Sequence, residues 1–322
     1  MLEIKDLSLA IQHQETATMA VKNIALTISK GRVLGLVGES GCGKTLTAQA
    51  VLRLGEYQGI ERVNGDILWH GESVFDMSDK RLRAMRGGQV AMIFQEPMTA
   101  LNPVFSIGSQ MVEVIRLHLG LSKSQAKEHA IHYLKDVGLD EAEELLNQYP
   151  DSLSGGMRQR VLIAMAMSLH PECIIADEPT TALDVSVQKR IIALLRKLQK
   201  ENNLGMLLVT HDFGLVAEMC DDVVVMYAGE VVESGSVLDI FDHPAHPYTQ
   251  ALMGCRPEMV KEGESLTVIE GQVPAPGTWP KGCHFSPRCS RASEACQIKA
   301  IAANAWQDSG HQARCIHVQE QA

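Results

Sequence analysis

Apolar and polar residues alternate with a period of two over Leu2–Ile11 and again over Val21–Ile28, so both stretches read as half-buried strands. The polar residues between them read as a turn or loop. Val33-Leu34-Gly35-Leu36-Val37 is a continuous apolar run, the pattern of a strand buried on both faces, and it ends in a glycine-rich turn. Similar short runs recur at Val90–Phe94, Cys173–Ala176, Met206–Val209 and Val223–Met226. Between them the period changes to that of a helix. Over Ser124–Val137, residues Ala126, Ala130, Tyr133, Leu134 and Val137 share one face, and Gly138 supplies the stop. Val223–Tyr227 and Glu230–Glu233, joined by Ala228-Gly229, predict a hairpin. Strands alternating with helices predict an α/β fold on a mainly parallel sheet. From about Cys255 the periodicity fades, and residues 271–288 hold Pro274, Pro276, Pro280 and Pro287 among several glycines. A boundary near residue 256 therefore separates a domain over 1–255 from a loop-rich extension over 256–322.

Composition narrows the classes. The 322 residues carry 29 Lys+Arg against 39 Asp+Glu, a net charge of −10, and this acidity argues against a non-specific nucleic-acid binder. No window reaches about 18 uncharged apolar residues. The nearest, Val161–Ala176, is broken by His170, Pro171 and Glu172. The opening residues MLEIKDLSLA lack the basic and apolar regions of an export signal, so a cytosolic location with reduced thiols is expected. Eight cysteines then need another explanation. Cys42, Cys173, Cys220 and Cys255 are scattered, whereas Cys283, Cys289, Cys296 and Cys315 crowd the extension.

Gly38-Glu39-Ser40-Gly41-Cys42-Gly43-Lys44-Thr45 fits G-x-x-x-x-G-K-[ST] directly after the Val33–Val37 strand. Glycines let backbone N–H groups curl around phosphates, Lys44 reaches the β- and γ-phosphates, and the Thr45 hydroxyl binds Mg²⁺. Cys42 reads either as a small spacer or as a thiol activated by the helix N-terminus, with a lowered pKa. Cys173–Ala176 leads into Asp177 and Glu178, placing two carboxylates at the end of a buried strand. About twenty residues earlier, Leu153-Ser154-Gly155-Gly156-Met157-Arg158-Gln159-Arg160 sets an N-cap serine and two glycines before an apolar helix, a second anion site in one chain.

This Ser154-Gly155-Gly156 segment resembles the signature motif of the ATP-binding-cassette (ABC) family, and the resemblance covers roughly residues 1–250. Gln95 resembles the Q-loop glutamine, Thr181-Ala182-Leu183-Asp184 the D-loop, and His211 the switch histidine. The resemblance implies a P-loop ATPase core with an antiparallel β subdomain and an α-helical signature subdomain. It assigns Asp177, Thr45 and Gln95 to Mg²⁺, Glu178 to the attacking water and His211 to the γ-phosphate. Ser154, Gly155, Gly156 and Gln159 would serve a nucleotide bound by the opposite cassette. Ile11 stands where such cassettes usually carry an adenine-stacking aromatic, leaving either His13 to stack on the base or an aliphatic surface for it to rest on. One cassette without an internal repeat needs a second ATPase subunit, a heterodimer being favoured over a homodimer. Residues Glu96–Pro150 would form the helical part that contacts separate membrane subunits.

The late cysteines run C-x5-C-x6-C-x18-C, which is not zinc-ribbon spacing, and His284, His311 and His317 leave mixed zinc ligation open. The segment Phe241–Gln250, followed by Gly282-Cys283 and Pro287-Arg288-Cys289, resembles the C-terminal extension of ATPases from dipeptide, oligopeptide and nickel importers. In that subfamily the four cysteines accompany a [4Fe–4S] cluster, with zinc the alternative here. His243, His246 and Tyr248 read more simply as a proline-stiffened connector. The implied protein is a peripheral ATPase on the cytoplasmic face of the inner membrane. It would work with two permease subunits and an extracytoplasmic solute-binding protein to import dipeptides or oligopeptides. Nickel or metal-chelate import, and a soluble ABC ATPase acting on nucleic acid or ribosomes, are the alternatives.

Overall fold

The computed structural model describes residues 1–13, 16–181, 183–255, 269–298, 300–305 and 310–318. They form two compact units, Met1–Asp76 with Leu208–Ala322, and Met77–Leu207. The strands among the described residues are β1 (Leu2–His13), β2 (Thr16–Ile28), β3 (Val33–Val37), β4 (Ile60–Trp69), β5 (Glu72–Ser73), β6 (Val90–Ile93), β7 (Cys173–Asp177), β8 (Gly205–Thr210), β9 (Asp222–Tyr227), β10 (Glu230–Ser236), β11 (Asn304–Ala305) and β12 (Gln312–Ala313).

The first unit holds an antiparallel sheet in the order β2-β1-β4-β5. In β1 the large buried side chains are Leu2 and Ile4, then Leu7 and Leu9, with the small Ser8 and Ala10 also buried, so the alternation of large residues slips by one position. A bulge absorbs the slip, with Asp6 at φ 48°. Opposite it Gly65 takes φ 80°, and a Cβ there would stand 2.3 Å from the Asp6 carbonyl oxygen. β2 starts five residues earlier than its apolar alternation predicts, because Thr16 already pairs with His13.

The same unit contains β3, whose five residues are all buried, paired parallel to β9. The predicted hairpin forms between β9 and β10, with Ala228 at φ 43° and Gly229 at φ 80°, the two positive φ angles of a type I′ turn. The extension adds to this sheet: β12 pairs antiparallel with β10, and β11 with β12. Phe285 is 2% exposed and shares a core with Val37, Val225, Tyr227, Tyr248 and Met253. Its ring centroid lies 5.2 Å from that of Tyr227 and 5.3 Å from that of Tyr248. The Phe241–Gln250 segment is therefore not a mere connector. His246 and Tyr248 are buried in it, and the Glu233 carboxylate accepts from the backbone N–H groups of Ala245 and His246 while pairing with His311 at 2.8 Å. Burial pushes the His246 imidazole down to about 4.

In the second unit β6 and β7 pair in parallel. The predicted helix spans Lys123–Asp136, opened by a Ser122–Gln125 capping box, with Ala126, Ala130 and Leu134 buried and Gly138 at φ 77° ending it. Helices Ile107–Leu119 and Gly155–Met167 pack on it, and Val185–Glu201 packs on the latter. Among the described residues no helix is long and apolar enough to cross a membrane.

Candidate functional site

In the first unit, the chain leaves β3 at Gly38 and curls through Gly41 and Gly43 into a helix over Lys44–Ala50. Gly38 has φ 153°, and a Cβ there would lie 2.2 Å from the Met226 carbonyl oxygen, so only glycine fits the start of the loop. Gly229 N–H donates to the Cys42 carbonyl at 2.9 Å, tying the loop to the β9–β10 turn. The Lys44 side chain is 5% exposed and its ammonium donates to the carbonyl oxygens of Gly38 at 2.7 Å and Glu39 at 3.0 Å. Lys44 thus lies folded back along the loop. Ser40 is exposed and Thr45 half-buried.

Cys42 corrects the expectation of an activated thiol. Its side chain is wholly buried, and burial raises the thiol pKa against the lowering effect of Lys44. The helix that follows has only seven residues, and the loss of water around the sulfur outweighs its field. His211 lies exposed just past β8, and Asp212 caps the helix Phe213–Met219 by accepting from Gly214 and Leu215 N–H groups. Ile11 is half-buried in β1 between Thr18 and Ile60, and the His13 side chain is outside the described residues.

The second unit carries the carboxylates. β7 is buried throughout and delivers Asp177 at 2% exposure. Glu178 follows at φ 44°, an uncommon backbone angle for a non-glycine residue. Its Oε2 accepts from Gln95 Nε2 at 3.0 Å and from the Thr181 hydroxyl at 2.9 Å, so two donors fix the carboxylate. This brings Gln95 and Glu178 into direct contact. Thr181 is a partner that the sequence reading had placed only in the D-loop. Ala182 of that loop lies outside the described residues. Asp184 caps the helix Val185–Glu201, accepting from Ser186 N–H at 3.1 Å and Val187 N–H at 3.0 Å.

Ser154 caps the helix Gly155–Met167 by accepting from Met157 N–H, as its sequence position predicts. A Cβ on Gly156 would stand 2.8 Å from Val187 Cγ1, so this glycine serves close packing inside the unit. Gln159 is wholly buried, and among the described residues neither of its amide atoms has a hydrogen-bond partner.

In the extension, Cys296 and Cys315 are buried and Cys283 and Cys289 partly so. Burial, with the nearby Cys289, Cys315 and Cys296, pushes the Cys283 thiol up to about 11. Burial also opposes the Cys296 thiolate, but hydrogen bonds with Ser293 and His317 outweigh it and leave that thiol lowered. The thiols are near enough to act on one another, and soft sulfur donors suit an iron–sulfur or zinc site. Among the described residues, however, no three His, Cys, Asp or Glu side chains stand close enough together to hold a metal ion. A metal-binding extension is therefore not shown among the described residues.

Residues 21–181 match the ABC transporter family, and residues 232–296 match the family described as the oligopeptide/dipeptide transporter C-terminal region. The dipeptide transport ATP-binding protein DppD of Escherichia coli is 43% identical, over 98% of this chain and 96% of its own length. The oligopeptide transport ATP-binding protein AppD of Bacillus subtilis is 40% identical, over 100% of this chain and 98% of its own. Among solved structures, a dimeric ATP-binding cassette in a post-hydrolysis state bound to ADP and Pi is 28% identical with a TM-score of 0.65, covering 74% of this chain and 99% of that one. The fold is that of an ABC ATPase cassette. The chain belongs to the ATP-binding proteins of the ABC transporter family, and is an ATPase.

Proposed function

We propose that this chain is the ATP-hydrolysing subunit of an importer for dipeptides or oligopeptides. The observation that most supports this is the match of residues 232–296 to the oligopeptide/dipeptide transporter C-terminal region, in a chain whose relatives align over nearly their whole length. In this reading the protein sits peripherally on the cytoplasmic face of the inner membrane. It pairs with a second ATPase subunit and drives two permeases fed by a solute-binding protein. Nucleic acid is not a partner.

Phosphoryl transfer to water requires positioning and charge stabilisation. Backbone N–H groups of Gly38–Thr45 and the Lys44 ammonium bind the phosphates, which requires Lys44 to exchange its two carbonyl partners for phosphate oxygens. Glu178, aimed by Gln95 and Thr181, polarises the attacking water, and His211 holds the γ-phosphate. Ser154, Gly155 and Gly156 cover the nucleotide of the opposite cassette. The oxygen donors Thr45, Asp177 and Gln95 suit Mg²⁺, a hard cation that neutralises phosphate charge when bound. The boundary near residue 256 and a structural [4Fe–4S] cluster on Cys283, Cys289, Cys296 and Cys315, or zinc in its place, complete the proposal. No step of hydrolysis passes through that group.

The test is ATPase activity of the chain with its permeases in membrane vesicles. Stimulation by a peptide-loaded binding protein is expected. Stimulation instead by a nickel chelate, or by ribosomes without membranes, overturns the reading. Iron, sulfide and zinc analysis of anaerobically purified protein decides the tail, and finding none of them overturns the cluster.

A further inference from the structure

The phosphate loop is gripped from outside by the extension. Both Arg288 guanidinium nitrogens reach the Glu39 carboxylate, Nη1 to Oε2 at 2.7 Å and Nη2 to Oε1 at 3.0 Å, a bidentate pair on the second residue of the loop. The Arg288 side chain is 5% exposed and that of Glu39 29%. The remaining guanidinium hydrogens are also used. Nε donates to the Glu270 carbonyl at 2.8 Å and Nη2 to the Ile269 carbonyl at 3.1 Å, while Nη1 reaches the Tyr227 hydroxyl at 3.3 Å. Arg288 closes the turn Ser286–Arg288, directly after Phe285, whose ring is locked against Tyr227 and Tyr248. The backbone of Glu39 is held as well, since its N–H donates to the Tyr248 hydroxyl at 2.8 Å and its carbonyl accepts from Lys44.

Every polar group of Glu39 named here is thus engaged, and two of its partners come from the C-terminal third of the chain. A glycine-rich loop has high conformational freedom, and ordering it on ligand binding costs free energy that a preformed shape avoids. In the sequence Arg288 stands within Pro287-Arg288-Cys289, far along the chain from the nucleotide motifs.

We propose that Arg288 is a positioning residue for nucleotide binding: through its bidentate pair with Glu39 it holds the phosphate loop in the curled shape that receives the phosphates. This rests on the assignment of Gly38–Thr45 to ATP. It adds that the extension is a working part of that site rather than only a subfamily mark. Glu39 is the contact through which Arg288 acts, so removing either end gives the same defect.

The experiment measures binding of Mg²⁺ with the non-hydrolysable analogue AMP-PNP to the full chain by titration calorimetry, alongside steady-state ATPase. Arg288→Gln and Glu39→Gln are each expected to weaken binding about tenfold, the scale of one charge-assisted hydrogen bond. The double variant should also lose about tenfold rather than a hundredfold, because both changes break one bridge. KM should rise while kcat at saturating ATP stays within about twofold of wild type, a split that general loss of folded protein does not produce. If Arg288→Gln does not fold, Glu39→Gln, altered on the partly exposed loop, carries the test alone. Wild-type affinity in the folded variants, or additive losses in the double, overturns the brace. Lys44→Ala separates the two failures. If it abolishes binding while the bridge variants bind normally, the nucleotide assignment stands and the brace falls. If it binds like wild type, the assignment beneath the brace is overturned.

Discussion

The phosphate loop of the first unit and the Glu178 carboxylate of the second are held by opposite means. Glu178 is aimed by side chains of motif residues: Thr181, three positions on, and Gln95. The loop takes its support from outside its motif, from the Tyr248 hydroxyl and the Arg288 guanidinium. The difference fits the chemistry proposed for each. A carboxylate acting on water needs only its oxygens pointed, and neighbouring hydroxyl and amide donors suffice. A loop that binds phosphate with its backbone must leave its concave side open, so its restraint comes from distant residues behind it.

The largest test of this contrast is Glu178→Gln, which should lower ATP turnover by about 10²–10⁴-fold, the range for loss of a positioned base, while AMP-PNP still binds. Near-wild-type turnover in a correctly paired mutant dimer would remove Glu178 from the chemistry and end the comparison. Next comes the distant support itself. Phe285→Ala removes a ring packed against both Tyr227 and Tyr248 and should cost about 3–5 kcal/mol in urea unfolding, the range for truncating a buried aromatic. A loss below 1 kcal/mol would mean that the extension is not integral to the first unit's core.

A smaller effect comes from pH. His246 is buried with its pKa lowered to about 4, next to Glu233, whose charge opposes the shift, and Arg314, whose charge reinforces it. The unfolded imidazole, near pH 6.5, binds a proton that the folded one refuses, so stability falls as pH drops from above 6.5 towards 4. Between pH 7 and pH 5 wild type should lose roughly 2 kcal/mol more than His246→Gln, read from urea midpoints. An equal loss in both proteins would exclude this histidine as the cause. The smallest expected change is none: Cys42 should resist iodoacetamide in the native protein and react only on unfolding, because its sulfur is buried. Rapid modification of Cys42 in folded protein would show a looser phosphate loop than the tertiary contacts describe.

Much of the architecture was readable in the chain. The strand Val33–Val37, the helix ended by Gly138 and the Ala228-Gly229 hairpin all depend on short-range periodicity or on backbone angles that few residues adopt. Gln95 and Glu178 were readable as motif residues, but their hydrogen bond was not, since it joins positions 83 residues apart. Less readable was the slip in β1, since a bulge shows only as one misplaced apolar residue, and the early start of β2, whose polar residues are recruited by pairing with β1. The complete burial of Gln159 is not legible either, since a polar residue type does not announce it.

The sequence by itself determined which glycine-rich segment curls from a buried strand into a helix, which carboxylates end a buried strand and which serine opens a helix. Those properties follow from residue types at fixed local spacing. Only the tertiary structure decided that Cys42 is a buried and unreactive thiol, that Tyr248 belongs to a core, and that Arg288 closes on Glu39. Burial, and a hydrogen bond spanning more than two hundred residues, depend on how the chain returns to itself, and no local pattern records that path.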